Sequence, residues 1–200
     1  MECRSTTKIL ALTQSQGMIR TRDVIAAGIH PEYLRRMVER GDLIKSGRGI
    51  YTNPTAELSA HHSLVVASQR VGGGVICLLS ALQFHEIGTQ APFEVWMAID
   101  VKSRRPSTDL VPLLPVYMSG AALEVGIDTH TIEGKPVRIY CPAKTVVDCF
   151  KYRHKIGLDV AIEALRDCWQ SRTCEMDELW NYAKMCRMSR VMRPYLECLT

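Results

Sequence analysis

The stretch RTRDVIAAGIHPEYLRRMVERGDLIKSGRGIY, residues 20–51, decides how the chain is read. Thr21-Arg22-Asp23 sets a hydroxyl and a carboxylate at a helix start, where they can answer unpaired backbone N–H groups. Val24, Ile25 and Ala27 follow as an apolar face, and Gly28 closes the helix as a left-handed cap does. His30-Pro31 opens a second helix, because proline suits the first helical position. Leu34, Met37 and Val38 fall there at i, i+3 and i+4 and form one buried face. The opposite face carries Glu32, Tyr33, Arg35, Arg36, Glu39 and Arg40, and Gly41 stops the helix. Leu43-Ile44-Lys45 and Gly49-Ile50-Tyr51 can then pair as strands across Ser46-Gly47-Arg48.

Upstream of this stretch, Ile9, Leu10 and Leu12 predict a short helix over Thr6–Ser15 that ends near Gly17. Met18-Ile19-Arg20 is long enough only for a brief strand. Helix, strand, two helices across a glycine turn, then a hairpin: this order predicts a winged helix-turn-helix over residues 1–53.

Downstream, Asn53-Pro54-Thr55 reads as a joint, and residues 54–200 as a second domain. Ala56–Arg70 is expected to be helical, with Leu58, Leu64, Val65 and Val66 among its apolar positions. Gly72-Gly73-Gly74 is a break and no phosphate loop, since neither GK[ST] nor GxGxxG follows. Val75–Leu79 is an apolar run that continues into a short helix to His85. Phe93–Ile99 and Val111–Met118 are strand candidates, and Lys102–Asp109 between them reads as an exposed loop. Thr129–Glu133 and Val137–Tyr140 suggest a hairpin around Gly134-Lys135. Ala143–Tyr152, Leu158–Trp169, Met176–Met188 and Ser189–Leu199 then read as helices. The fold class expected is α+β: the winged helix-turn-helix, then a mixed α/β domain with a helical carboxy-terminal tail.

Charge is divided unevenly. Residues 1–53 hold nine Lys/Arg against five Asp/Glu, while residues 54–200 hold sixteen of each. The whole excess of +4 therefore sits in the first quarter, and a local positive field is what a phosphate-binding module needs. The partner this implies is double-stranded DNA. Arg35 and Arg36 lie early enough on the second helix to reach base edges, where arginine bonds guanine in a bidentate manner. Tyr33 could meet a base or a sugar. Arg20, Thr21, Arg22, Lys45 and Arg48 flank that helix and suit phosphates, and Arg40 suits either. The competing reading is a small helical subdomain whose arginines form a solvated face.

None of the eight cysteines shows a CxxC spacing or the Cys/His rhythm of a zinc site. They read as free buried thiols in a reducing cytoplasm. Met1–Lys8 is too polar for a signal peptide, and no apolar run reaches a membrane span, so no membrane partner is expected.

No catalytic constellation is assigned from the sequence. A restriction-type nuclease fused to the winged helix is the enzymatic alternative, built on Glu86, Glu94, Asp100 and Lys102. Its fit is poor, because Glu86 follows a helix and Asp100-x-Lys102 reads as the start of a solvated loop. His61 and His62 are adjacent, so on a helix their rings diverge. His85 reads as a satisfied core histidine. Ser80 lacks a GxSxG context. Lys144 and Asp148, four apart on one helix, read as a pair. No metal ligand, cofactor or catalytic residue is expected.

Three segments together resemble AbiEi-type antitoxins, the regulator halves of type IV toxin–antitoxin and phage abortive-infection systems. The first is the winged helix itself, from Arg22-Asp23-Val24 to Gly47-Arg48-Gly49-Ile50-Tyr51. The second is Ile76-Cys77-Leu78-Leu79-Ser80-Ala81-Leu82 with Phe84-His85. The third is Pro142-Ala143-Lys144-Thr145-Val146-Val147-Asp148-Cys149-Phe150, continuing to Lys155-Ile156-Gly157-Leu158-Asp159. The resemblance implies a regulator that binds inverted repeats upstream of its own operon and represses it. It also implies a second domain that counters a nucleotidyltransferase-like toxin, directly or indirectly. The family offers no catalytic residue to carry over.

Overall fold

The computed structural model describes residues 2–16, 18–47, 49–54, 59–104, 106 and 111–199. Its contacts divide the chain into two units. The first comprises residues 1–65 together with 131–136, and the second comprises 66–130 with 137–200.

In the first unit, α1 (Glu2–Gln16) leads into β1 (Met18–Arg20), α2 (Thr21–Ala26) and α3 (Glu32–Glu39). A hairpin of β2 (Ile44–Gly47) and β3 (Ile50–Thr52) follows. The three strands form one sheet in the order β1-β3-β2, with both pairings antiparallel. Ile9, Ile19, Val24, Ile29, Leu34, Met37 and Leu43 come from α1, β1, α2, α3 and the turns beside them and form a single core. Gly28 takes a φ of +73°, a conformation glycine adopts without steric cost, and its N–H donates to the Ile25 carbonyl. That turn lets α3 leave α2 while both keep an apolar side on the core. Lys8 Nζ reaches the Ala27 carbonyl at 3.3 Å, tying α1 to the end of α2.

The second unit is built on a five-stranded sheet in the order β6-β5-β4-β8-β7. Its strands are β4 (Val75–Ile76), β5 (Val95–Asp100), β6 (Leu113–Met118), β7 (Ile127–Ile132) and β8 (Lys135–Tyr140). β4 runs antiparallel to β5 and parallel to β8, and β5 runs parallel to β6. Pro115 lies within β6, which the edge position tolerates because an edge strand has one unpaired side.

The helices are α4 (His62–Arg70), α5 (Leu78–Phe84), α6 (Ala121–Glu124), α7 (Pro142–Lys151), α8 (Arg153–Ile156), α9 (Leu158–Gln170), α10 (Met176–Met185) and α11 (Ser189–Glu197). Residues of α5, α7, α9, α10 and α11 join sheet residues such as Ala98, Val116 and Tyr140 in one core. α7 lies at its centre: every residue from Ala143 to Phe150 is buried. A helix apolar on nearly every side is one surrounded by other elements. Its two charged residues among these, Lys144 and Asp148, are fully buried and bonded to each other, and the Lys144 ammonium lies 4.1 Å from the Tyr140 ring centroid. Gly126, at φ +70°, is needed beside them, because a Cβ there would come within 2.7 Å of the Lys144 Cβ.

Several local expectations change. Ile25 was assigned to an apolar face but is 56% exposed, because a helix of six residues buries only Val24. β2 begins at Ile44 and extends through Ser46 and Gly47, with a register shift between Lys45 and Gly47. α4 begins at His62, later than the expected Ala56, and Leu58 and the rest of 55–58 lie outside the described residues. Of Val75–Leu79 only two residues are strand, and Cys77 already caps α5. The β7–β8 turn is Glu133-Gly134, one residue earlier than read, with both residues at positive φ as a tight two-residue hairpin demands. Cys168 and Cys174 form a disulfide, where free thiols were expected: the turn after α9 brings their Cα atoms to 5.7 Å, within bridging reach. Among the described residues no helix is long and apolar enough to cross a membrane.

Candidate nucleic-acid interface

The basic surface of the first unit is assembled by α2, α3 and the β2–β3 hairpin. Leu34 and Met37 are buried to within 1%, which fixes the rotation of α3 and turns Arg35, Arg36, Glu39 and Arg40 outward. The start of α2 is tied to the hairpin, since the Thr21 N–H donates to the Gly49 carbonyl at 3.0 Å. Thr21, expected to supply a capping hydroxyl, is instead the first helical residue: Arg20 is the N-cap, and its N–H donates to Asp23 Oδ2 at 2.9 Å, so the acidic residue answers that backbone group.

The predicted side chains differ in circumstance. Arg22 is exposed, with its Nε 3.7 Å from Asp23 Oδ1. Arg35 stands between two carboxylates of its own helix, 3.0 Å from Glu32 and 3.6 Å from Glu39. Arg36, Arg40 and Lys45 are exposed. Thr21 is half-buried. Tyr33 is half-buried too and packs against the core cluster, so the outward direction expected for it is only partly met. Arg48 lies outside the described residues. Arg20 is half-buried, and its Nε has no hydrogen-bond partner among the described residues. Burial and then Arg22 lower its guanidinium from the usual value, while Asp23 raises it.

A further cation escaped the sequence reading. Lys135 belongs to the first unit through the β7–β8 turn, although it is over 110 residues from Arg22 in the chain. Burial lowers its ammonium below the ordinary lysine range, Asp23 raises it, and Arg20 and Arg22 lower it again. Lys135 thus lies within electrostatic reach of Asp23, Arg20 and Arg22 at the start of α2. Nothing within residues 20–51 signals this, because Lys135 opens a strand far along the chain. The β7–β8 turn is held in turn by Glu133, which accepts hydrogen bonds from the Ser59 N–H at 3.0 Å and the Ser59 hydroxyl at 2.8 Å. His62 Nδ1 lies 2.9 Å from its other oxygen. Burial alone would raise the Glu133 carboxyl; the bonds from His62 and Ser59 outweigh it and hold the group below its usual range.

The enzymatic candidates are dispersed or occupied. Asp100 Oδ1 accepts the Lys102 N–H at 2.7 Å, so it folds back on its own loop, and Glu86 and Glu94 are exposed. Ser80 Oγ donates to the Glu94 carbonyl and accepts the Trp96 N–H. His85 Nε2 lies 2.8 Å from the Tyr140 carbonyl, the satisfied role expected, and burial lowers its basicity. Among the described residues no group of three His, Cys, Asp or Glu side chains is placed to hold a metal ion.

Comparison with known proteins bears on the fold and on the first unit. The RV2827C protein from Mycobacterium tuberculosis has a similar crystal structure, with a TM-score of 0.59 at 11% sequence identity. The similarity covers 90% of this chain and 71% of that one, and at such low identity it concerns the fold alone. No curated protein matches the sequence. Residues 8–54 match the model of a family described as transcriptional regulator, AbiEi antitoxin. The match runs from within α1 to just past β3, so the stretch that carries the basic surface is the one in which this chain is similar to the AbiEi antitoxins.

Proposed function

We propose that the first unit is a winged helix-turn-helix that binds double-stranded DNA, and that the chain is a transcriptional regulator with no catalytic chemistry of its own. The observation that carries this reading is the exposure of Arg22, Arg36, Arg40 and Lys45 around α3 on a helix–strand–helix–helix–hairpin scaffold. α3 enters the major groove, and the start of α2 and the hairpin meet the phosphates. Two such units on an inverted repeat repress by occupancy. The similarity over residues 8–54 supports an antitoxin working in the cytoplasm against a nucleotidyltransferase-like toxin, with the second unit acting on the toxin or on its target.

Gel-shift titration of the full chain against the DNA upstream of its own reading frame tests the first part. Saturable binding to an inverted repeat, weakening steeply with salt, is expected. Binding no tighter than to scrambled DNA removes the reading. Lys135 offers a sharper check. As a phosphate contact it gives a Lys135→Ala protein that binds operator and scrambled DNA more weakly by the same factor. The slope of log affinity against log salt also falls by about one. An unchanged slope excludes Lys135 from the interface.

The antitoxin role is tested by growth. Co-expressing the full chain with a nucleotidyltransferase-like toxin encoded beside it should restore colony formation by several orders of magnitude. No rescue at equal toxin expression rejects that role and leaves DNA binding standing.

A further inference from the structure

The second unit contains a cavity of about 410 Å³ that none of the foregoing uses. That volume falls in the range of small-molecule sites, roughly 300–1,000 Å³. Three separate elements form it. Ser119 and the residues opening α6 supply one wall, Lys151 in the last turn of α7 a second, and Cys186 and Arg187 at the end of α10 a third.

The charge of the lining is one-sided. It includes Lys151 and Arg187 and no aspartate or glutamate. Among the described residues neither cation has a carboxylate within ion-pair distance. Lys151 lies over the Tyr152 ring, 6.0 Å from its centroid, which steadies the stem without neutralising the charge. The nearest acid on its own helix, Asp148, is already bonded to Lys144 in the core. Two cations in the lining of one concavity, neither ion-paired to a carboxylate, favour an anion there.

The backbone adds an independent observation. Arg187 ends α10 at φ +60°, in the left-handed region. There its N–H donates to the Lys184 carbonyl and the Met188 N–H to the Ala183 carbonyl. Glycine fills such a capping position without penalty, and a residue with a Cβ does not. Arg187 thus lines the cavity from a backbone conformation that disfavours having a side chain at all. Strain of this kind collects at ligand sites. Cys186 contributes wall and no chemistry: it is 4% exposed, and burial pushes its thiol up, which keeps it protonated and unreactive.

We propose that this cavity binds a phosphate-bearing small molecule, with its phosphate between Arg187 and Lys151. The planar guanidinium matches two phosphate oxygens at once, the ammonium adds a second full charge, and the Ser119 hydroxyl is a further donor. The polar character of the walls excludes a purely apolar ligand. The site lies wholly within the second unit and does not depend on the DNA reading.

Calorimetric titration of the full chain at fixed ionic strength tests it, with sodium phosphate, sodium pyrophosphate, ATP and citrate as probes. Saturable binding of at least one phosphate compound, at least tenfold tighter than citrate, is expected. Tighter binding of ATP than of pyrophosphate marks a nucleotide site, and the reverse marks a site for the inorganic anion. Arg187→Gly and Lys151→Gln should each weaken that binding at least tenfold. Arg187→Gly is the decisive variant, because it removes the side chain while relieving the backbone, so its melting temperature without ligand should equal or exceed that of the parent. Absence of saturable heat with every phosphate probe overturns the proposal. So does citrate binding as tightly, or undiminished affinity in a folded Arg187→Gly protein.

Discussion

Asp148→Ala is expected to lower folding stability by about 3–5 kcal/mol, the loss seen when one member of a buried ion pair is removed. Asp148 and Lys144 are both fully buried on α7, which packs against α5, α9, α10 and α11. Deleting the carboxylate leaves an ammonium in that core with only the Tyr140 ring beside it. The pair itself is a different matter. Burial raises the Asp148 carboxyl and Lys144 lowers it, and taking two charges out of water costs about as much as their attraction returns. Replacing both at once, as Lys144→Met with Asp148→Leu, should therefore recover most of the stability lost by the single variant. Urea unfolding of the two proteins and the parent decides it. A loss below about 1 kcal/mol in Asp148→Ala would mean the ammonium finds water, contrary to the burial described.

The second large effect concerns DNA. Arg36→Ala is expected to weaken operator binding by about 1–3 kcal/mol, or roughly five- to 150-fold, and to leave binding to scrambled DNA nearly unchanged. Arg35→Ala should cost less. Arg35 must leave Glu32 and Glu39 before it can reach a base, and although exposed pairs are worth at most about 1 kcal/mol each, that release offsets part of any gain. Glu39→Gln should accordingly tighten binding, by removing one competitor and one charge that repels phosphate. Gel shifts of the three variants at one stated salt concentration make the comparison. Equal losses on operator and scrambled DNA for Arg36→Ala would place it on the backbone and remove its part in base choice.

The first unit was legible because its signals are local. Gly28 and Gly41 punctuate the helices, and Leu34 and Met37 set the phase of α3 within one turn. The pairing of Arg35 with Glu32 and Glu39 was also present in the spacing, at i−3 and i+4, and went unread because all three were taken as one outward face. Ile25 was misplaced because a six-residue helix offers too few positions to fix a phase. The second unit was less legible. Two residues of β4 sit between β5 and β8, and the pairing of Ile76 with Ile139 joins positions 63 apart, which no window of periodicity contains. α6 and α8, four residues each, fall below the length at which a repeat of 3.6 shows. Cys168 and Cys174 carry no spacing that announces a bridge.

The division of the chain has a consequence during synthesis. A ribosome that has released residues 1–65 has not yet made Glu133 or Lys135, which complete the unit those residues belong to. At roughly 5–20 residues per second, several seconds of translation separate the two events. For that interval the nascent amino-terminal segment lacks both the anchor for Ser59 and His62 and one of its cations, so a prematurely terminated polypeptide would not be a faithful miniature of this unit.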